Sequence, residues 1–354
     1  MDMTWRMLAH KVILRSGWDP DDFYMMIEVF PRHTPLNPTA IVGLMSGGSA
    51  MAFMEPEKWV SRENMVQIED PDGRASFMGV PHNTAPRELP SGYMGMETQI
   101  PCFSDHRLAT RVRLKTTNYM GYAATHEREV FFIKNRFAVV RDLTSFNDAF
   151  RCRIGPVWNT QHTETIAGAS WVNTWFEKMN FYKTCLYKNP RRDLLVYYLP
   201  SADCHMTIAE RPDLVTSTVA TRYEWEGDVQ PGIVVRFSQV LLPHDPSVKA
   251  EKLAAGIVVA HENESGLFIK VEAEPGRHEW VMLNAPGASY QLPVSSLRQF
   301  PELAGFTTDA RAVYLDFQSG KLRRLLVEDA TKLRIGGRTL VNGKSKRTTL
   351  EMLF

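Results

Sequence analysis

Charge of one sign is nearly missing from this sequence: 41 lysines and arginines face 40 aspartates and glutamates, a formal net charge of +1 over 354 residues. No global field is built for nucleic acid, so an anionic ligand would need a local cluster of cations. Cysteine is scarce as well. Cys102, Cys152, Cys185 and Cys204 lie far apart and form no CxxC pair, which excludes a disulfide-dense scaffold and leaves free thiols as the expected state. No apolar run approaches the roughly 20 residues of a membrane span. The opening stretch, MDMTWRMLAHKVILRSGW, lacks the unbroken apolar core and small-residue cleavage site of a signal peptide, so no export signal is expected in it. Rossmann and P-loop fingerprints are missing. Gly47-Gly48 has neither the phosphate-loop lysine nor a following helix and reads as a turn. No internal repeat at a propeller or solenoid period occurs.

What is there reads as strands. Lys11–Ser16, Phe23–Val29 and Ala40–Met45 are short apolar runs closed by Gly, Pro or Asp, at strand rather than helix length. Glu129–Lys134 and Phe137–Asp142 are separated only by Asn135-Arg136, a hairpin signal. Leu194–Leu199 and Gly232–Leu242 continue the pattern, and after Pro243-His-Asp-Pro246 a boundary is expected. A short helix is predicted over Val248–Ala255, where Lys, Glu, Leu and Ala favour it. Strands resume at Gly256–Ala260, Leu267–Val271, Glu279–Leu283, Ala312–Phe317 and Leu322–Val327, with turns at Ser319–Lys321, Gly336-Gly337 and Asn342–Lys344. The expected fold is all-β: a large antiparallel two-sheet sandwich over residues 1–246, then a smaller β subdomain or continuation over 247–354, with few short helices.

Chemistry could sit in several places. Arg32-His33-Thr-Pro-Leu-Asn37 runs into a strand, where a polar loop can hold an imidazole at a sheet rim, or simply a histidine bonded to backbone. His82-Asn-Thr84 could orient a ligand, or with Glu55 surround a cation, although it equally describes a polar turn, and a zinc site needs three or four convergent ligands. Arg111, Arg113 and Lys115 alternate along one strand and so share a face, either an anionic-sugar surface or a solvated sheet face. Tyr119, Tyr122, His126 and Arg128 could add stacking and hydrogen-bonding groups, with core packing as the alternative for the tyrosines. Trp171, Trp175 and Phe176 are large enough to stack on a sugar ring but are of a kind more often found in cores, and His162 is a weaker candidate.

The order of segments carries a resemblance. Arg15-Ser-Gly-Trp18, Asp19 to Tyr24, His33, the strand Ile41–Ser46, Glu55 and His82-Asn-Thr84 follow one another as in the β region of heparinase II/III-type polysaccharide lyases. His126–Ile133, Phe137–Asp142 and the Asp309–Lys321 stretch resemble that family's paired and closing strands. The resemblance implies β-elimination on an acidic, uronate-containing polysaccharide of the glycosaminoglycan or alginate kind, and a periplasmic or secreted setting. It implies His33 as the β-domain's catalytic histidine, assisted by Arg32 and Asn37 on the substrate; Arg111, Arg113 and Tyr119, read from the residues themselves, are the further substrate-binding candidates. It further implies a helical toroid that supplies the catalytic tyrosine. Nothing before Trp5 has the length for a toroid, so a helical partner domain or chain is expected, and without one the chain is read as inactive or as a carbohydrate-binding or structural module. The family's H-x-H-x-D loop stands here as His33-Thr-Pro35-Leu-Asn37, so only His82 and Glu55 remain of a zinc ligand set and the zinc site would be degenerate.

Overall fold

The computed structural model describes residues 11–19, 21–29, 39–53, 64–69, 97–160, 162–175, 192–211, 218–293, 296, 299–343 and 348–354. The chain divides into two compact units, 1–105 with 110–248, and 106–109 with 249–354, against an expected boundary at 246/247.

The first unit carries β1 (Lys11–Arg15), β2 (Tyr24–Glu28), β3 (Ile41–Ser46), β4 (Ser49–Phe53), β5 (Val66–Glu69), β6 (Glu97–Asp105), β7 (Ala109–Thr117) and β8 (Ala124–Ile133). It continues with β9 (Phe137–Phe146), β10 (Phe150–Thr160), β11 (His162–Glu164), β12 (Trp171–Trp175), β13 (Asp193–Tyr198), β14 (Cys204–Arg211), β15 (Thr218–Val229) and β16 (Val234–His244). Eight strands form one sheet in the order β11-β12-β13-β16-β9-β8-β7-β6. Two four-stranded sheets, β1-β2-β3-β4 and β14-β15-β10-β5, share a single apolar core with it. The alternation of the sequence decides which side chains enter that core: Val112 and Leu114 of β7, Val130 and Phe132 of β8, and Val235, Phe237 and Leu241 of β16 point the same way, while their neighbours point to the opposite face. Phe23 stacks on Phe132 with ring centroids 4.4 Å apart, and Tyr198 on Tyr223 at 4.9 Å.

The turns behave as their residues require. Gly47 and Gly48, both at positive φ (59° and 71°), close the two-residue hairpin between β3 and β4. Asn135 takes φ 57° in the β8–β9 turn, its N–H donates to Ser16 Oγ at 2.6 Å, and the Gly47 N–H reaches the Asp21 carbonyl at 2.9 Å. The loop between β1 and β2 is therefore bonded to two hairpin tips, through Ser16 and Asp21, and its Trp18 ring, largely exposed, lies under the Arg15 guanidinium.

Charge is buried inside the core face. Arg128 grips Asp142 through Nε (2.7 Å) and Nη2 (3.0 Å), while its Nη1 donates to the carbonyls of Thr39 (2.6 Å) and Asn64 (3.2 Å). Gln239 Nε2 donates to the same carboxylate at 3.3 Å and takes the Trp158 indole N–H on its oxygen at 2.6 Å. Thr39 holds φ 75°, a costly conformation for a β-branched residue, and its carbonyl is one of the acceptors Arg128 uses. His126 donates to or accepts from Thr144 Oγ1 at 2.9 Å and stacks on Tyr119, whose hydroxyl donates to the Val66 carbonyl at 2.7 Å. Tyr119, His126 and Arg128, expected among sugar-contacting groups, are thus fully buried, because their polar atoms tie the sheets together. Half-buried Tyr122 packs on Phe150, with ring centroids 5.2 Å apart. Burial pushes Asp142 up, but the Arg128 guanidinium and His126 outweigh it and hold the carboxyl below its usual range; burial also pushes His126 down.

In the second unit α1 (Ala250–Ala255) precedes β17 (Ile257–Asn263), β18 (Gly266–Glu274), β19 (Arg277–Asn284), β20 (Tyr290–Gln291) and β21 (Thr307–Thr308). The strands β22 (Ala312–Gln318), β23 (Lys321–Ala330), β24 (Lys332–Ile335), β25 (Arg338–Asn342) and β26 (Thr348–Leu353) complete it. Sheets β17-β18-β19-β22-β23-β26 and β20-β21-β24-β25 share a core in which Phe268, Trp280, Phe300 and Phe306 pack ring on ring. The 106–109 tip joins this unit through the Glu351 carboxylate, which accepts the N–H groups of Leu108 (2.6 Å) and Arg107 (3.3 Å). The protein is all-β with one short α-helix among the described residues, and no described helix is long and apolar enough to cross a membrane.

Removing one partner of the buried pair leaves the other uncompensated. Arg128→Met is expected to cost about 3–5 kcal/mol in urea unfolding, and the double change Arg128→Met/Asp142→Leu to recover most of it. Both His126 and Asp142 have folded values below their unfolded ones, so their stabilisation is present at neutral pH and lost on acidification. The loss begins below about pH 6.5 for His126 and below about pH 4 for Asp142. A urea midpoint that stays flat from pH 7 to pH 4 would contradict this.

Candidate functional site

The face of the eight-stranded sheet turned away from the core carries two polar regions. Register places Cys102, Arg113, Glu127, Leu143 and Arg236 across β6, β7, β8, β9 and β16, with Lys115 two residues along β7. Arg113 Nε donates to Glu127 Oε2 at 3.1 Å, and Lys115 Nζ lies 3.4 Å from Glu127 Oε1. Burial would raise Glu127, but Arg113 and Lys115 outweigh it and keep the carboxyl ionised below its ordinary range. Two cations, Arg113 and Lys115, therefore flank one carboxylate on a strip that solvent partly reaches, with Arg236 on the same face two strands away; the Lys115 side chain is 42% exposed. Arg111 differs. It is 3% exposed, and its Nε is bonded at 2.7 Å to Glu129, itself paired in register with the buried Arg141. Of the three cations expected to share a solvent face, two do so and the third is covered.

The second region lies at the other end of the same face, eight residues along β16 from Arg236, about 26 Å away. Cross-strand pairing sets His162 against Trp175, Glu164 against Asn173, and Asp193 against His244. His244 meets the Asp245 carbonyl through Nδ1 (2.9 Å) and Asn173 Oδ1 through Nε2 (2.8 Å). The Asn173 amide nitrogen donates to Glu164 Oε1 at 2.8 Å and to Asp193 Oδ2 at 3.5 Å. His162 and Trp175 stack with centroids 5.3 Å apart.

This second arrangement must hold a proton. A backbone carbonyl only accepts, so His244 Nδ1 carries hydrogen; an amide oxygen also only accepts, so Nε2 carries one too and the ring is an imidazolium. If the amide is turned over instead, its nitrogen donates to a neutral imidazole. Its oxygen then faces Glu164 and Asp193, one of which must be protonated. Burial pushes His244 down and Asp193 up, so it favours the neutral form of each and hence the second assignment.

Among the sequence candidates, Arg32, His33, Asn37, Glu55, Phe176 and His82 lie outside the described residues. Arg113 and Lys115 share the cationic strip, Arg111 is buried beside it, and Tyr119 is in the core. Trp171 is buried, whereas His162 and Trp175 join the second region. Sequence reasoning missed Glu164, Asn173, Asp193 and His244. They come from four strands, and the only local signal is the polar punctuation of strand ends at Asp193 and His244-Asp245. Among the described residues, no three or more His, Cys, Asp or Glu side chains are placed to hold a metal ion.

Asp193 has a folded value above its unfolded one, so its contribution is present below about pH 4 and declines as pH rises through the folded value. Asp193→Asn should therefore raise the urea midpoint at pH 7 and leave it unchanged near pH 3. A lowered midpoint at pH 7 would place the shared proton on His244.

No family model matches the chain, and no curated protein matches it. Solved structures do. The heparan sulfate lyase HepC from Pedobacter heparinus aligns at 13% identity and a TM-score of 0.53, covering 78% of this chain and 41% of that one. A mutant of HepC gives 13% and 0.50, over 78% and 40%. A heparinase III structure gives 12% and 0.50, over 78% and 42%. The chain thus spans about two fifths of the length of these proteins, and what it has in common with them is a β-sandwich fold.

Proposed function

We propose that this chain is a saccharide-binding β-sandwich of the heparinase type that works on acidic polysaccharide. In company with a helical toroid, on a partner chain or domain, it forms the β-sheet half of a β-elimination site. The observation that carries the reading is the strip in which Arg113 and Lys115 flank the carboxylate of Glu127, with Arg236 on the same sheet face two strands away. Two cations to one carboxylate on a partly exposed strip suit a chain of uronate carboxylates and, if present, sulfates. The likeness in fold to heparan sulfate lyase HepC supports the same ligand class.

The chemistry asks for more than binding. A uronate C5–H is a weak acid, so its carboxylate must be neutralised while a base takes the proton and the C4 oxygen leaves, forming the C4–C5 double bond. His33, with Arg32 and Asn37 beside it in sequence, is the group proposed for carboxylate neutralisation; the base is assigned to the partner. No step is drawn through zinc, because Glu55 and His82 are two ligands without a third. A second reading, binding without turnover, is favoured by Pro35 and Asn37 standing where the family's loop has His and Asp.

Two outcomes test this. The full chain should bind heparan sulfate or alginate with an affinity that falls steeply with salt, and Arg113→Ala/Lys115→Ala should weaken it about tenfold or more, read by titration calorimetry. Equal binding to neutral polymers, or none to any acidic one, would overturn the ligand class. Unsaturated-uronate absorbance should appear only with a helical-toroid protein added and vanish with His33→Ala; binding with no absorbance under any pairing selects the non-catalytic reading.

A further inference from the structure

We infer that the Glu164–Asn173–Asp193–His244 cluster, with the His162–Trp175 stack beside it, is a second saccharide site, one that takes an uncharged, hydroxyl-bearing sugar. The inference is independent of the acidic-ligand reading and concerns the opposite end of the sheet face.

The polar groups first define what can bind. Asn173 and His244 are buried and spend their polar atoms on one another, on Asp245 and on the two carboxylates, so they form the rigid floor. Glu164 gives one oxygen to this floor, and Asp193 gives one weakly, at 3.5 Å. The remaining oxygen of each has no protein donor among the described residues. Glu164 is exposed and Asp193 half-buried, so these oxygens are held in place by the floor where a ligand's hydroxyl groups can replace water on them.

Three classes of donor can be weighed. A metal ion would need convergent ligands, and the described residues contain no such group. A uronate or sulfate would bring negative charge against Asp245 and whichever of Glu164 and Asp193 is ionised, with Arg192 the one nearby cation among the charged groups that act on the cluster. A neutral sugar brings hydroxyl donors and no charge. It also brings an apolar ring face, and Trp175, only half-buried although it is the largest kind of side chain, offers a surface for it. The His162 ring lies nearly parallel to the indole (16°), which fixes the indole's orientation before a ligand arrives. Pairing in register puts platform and acceptors on neighbouring positions of the same face: His162 opposite Trp175, then Glu164 opposite Asn173. Carboxylate acceptors beside a pre-set aromatic ring match the two chemically distinct sides of a pyranose.

The test uses the full chain and a panel of neutral tetrasaccharides built from glucose, galactose, mannose and N-acetylglucosamine, with a uronate tetrasaccharide alongside. At least one neutral member should shift the Trp175 indole resonance, assigned from Trp175→Phe, and titrate with an affinity at least tenfold above that of the uronate at this resonance. Trp175→Ala should lose the binding. Trp175→Phe, which keeps an aromatic platform, should retain part of it, and Glu164→Gln should weaken it severalfold while the fold is retained. The inference is overturned if no neutral member moves the indole resonance, if the uronate moves it as strongly, or if Trp175→Phe and Glu164→Gln both bind as the parent does. Because acidic-polymer binding is read separately, either result can fail without the other.

Discussion

Arg128 and Asp142 face one another inside the sandwich with no solvent to support either charge, and the first unit is organised around keeping them there. Removing two ions from water costs several kcal/mol each, and Coulomb attraction offsets that only when the remaining hydrogen-bonding capacity is filled. Here it is filled from both layers: Nε and Nη2 on the carboxylate of β9, Nη1 on the carbonyls that precede β3 and β5, and Gln239 of β16 on the far carboxylate oxygen. A slip of one residue between β8 and β9 would turn the guanidinium to one face and the carboxylate to the other. The pair therefore fixes which residues reach the core and, by alternation, which reach the outer face.

That outer face has two ends of opposite character. At one end Arg113 and Lys115 flank Glu127; at the other, the Asn173 amide bridges a buried imidazole to the carboxyl groups of Glu164 and Asp193. Between them Leu195, Val240 and Leu242 are buried. Both ends are set by register rather than by loops: Arg236 and His244 occupy the same side of one uninterrupted strand, and Glu127 and Arg113 meet because β7 and β8 are neighbours. Positions on sheet strands are held more firmly than positions on loops, which suits groups whose spacing must match a repeating polymer.

Much of this fold was legible in the residues. Alternation and short apolar runs marked the strands, Gly47-Gly48 marked a turn and Asn135-Arg136 a hairpin, and the Lys, Glu, Leu and Ala composition marked the helix that occupies Ala250–Ala255. The site was legible only in part. Arg113 and Lys115 could be placed on one face from their spacing, but spacing is silent on whether a neighbouring strand supplies a carboxylate, and Arg111, two residues away, is covered. Arg128 and His126 read as hydrogen-bonding groups near the cationic strand, and only the contacts of Asp142, Thr39 and Asn64 show why the Arg128 charge is tolerated in the core instead. The Glu164–His244 cluster gathers residues 80 positions apart. No local motif announces it, since each member alone is an ordinary polar residue near a strand end.

The central claim, that this sheet face meets an acidic saccharide through the Arg113–Lys115–Arg236 strip, is tested most directly by mapping backbone amide shifts while a uronate tetrasaccharide is titrated into the labelled full chain. The account predicts saturable shifts concentrated at residues 113–116, 125–128 and 234–237. Shifts confined to other surfaces, with these three stretches unmoved at saturation, would contradict it.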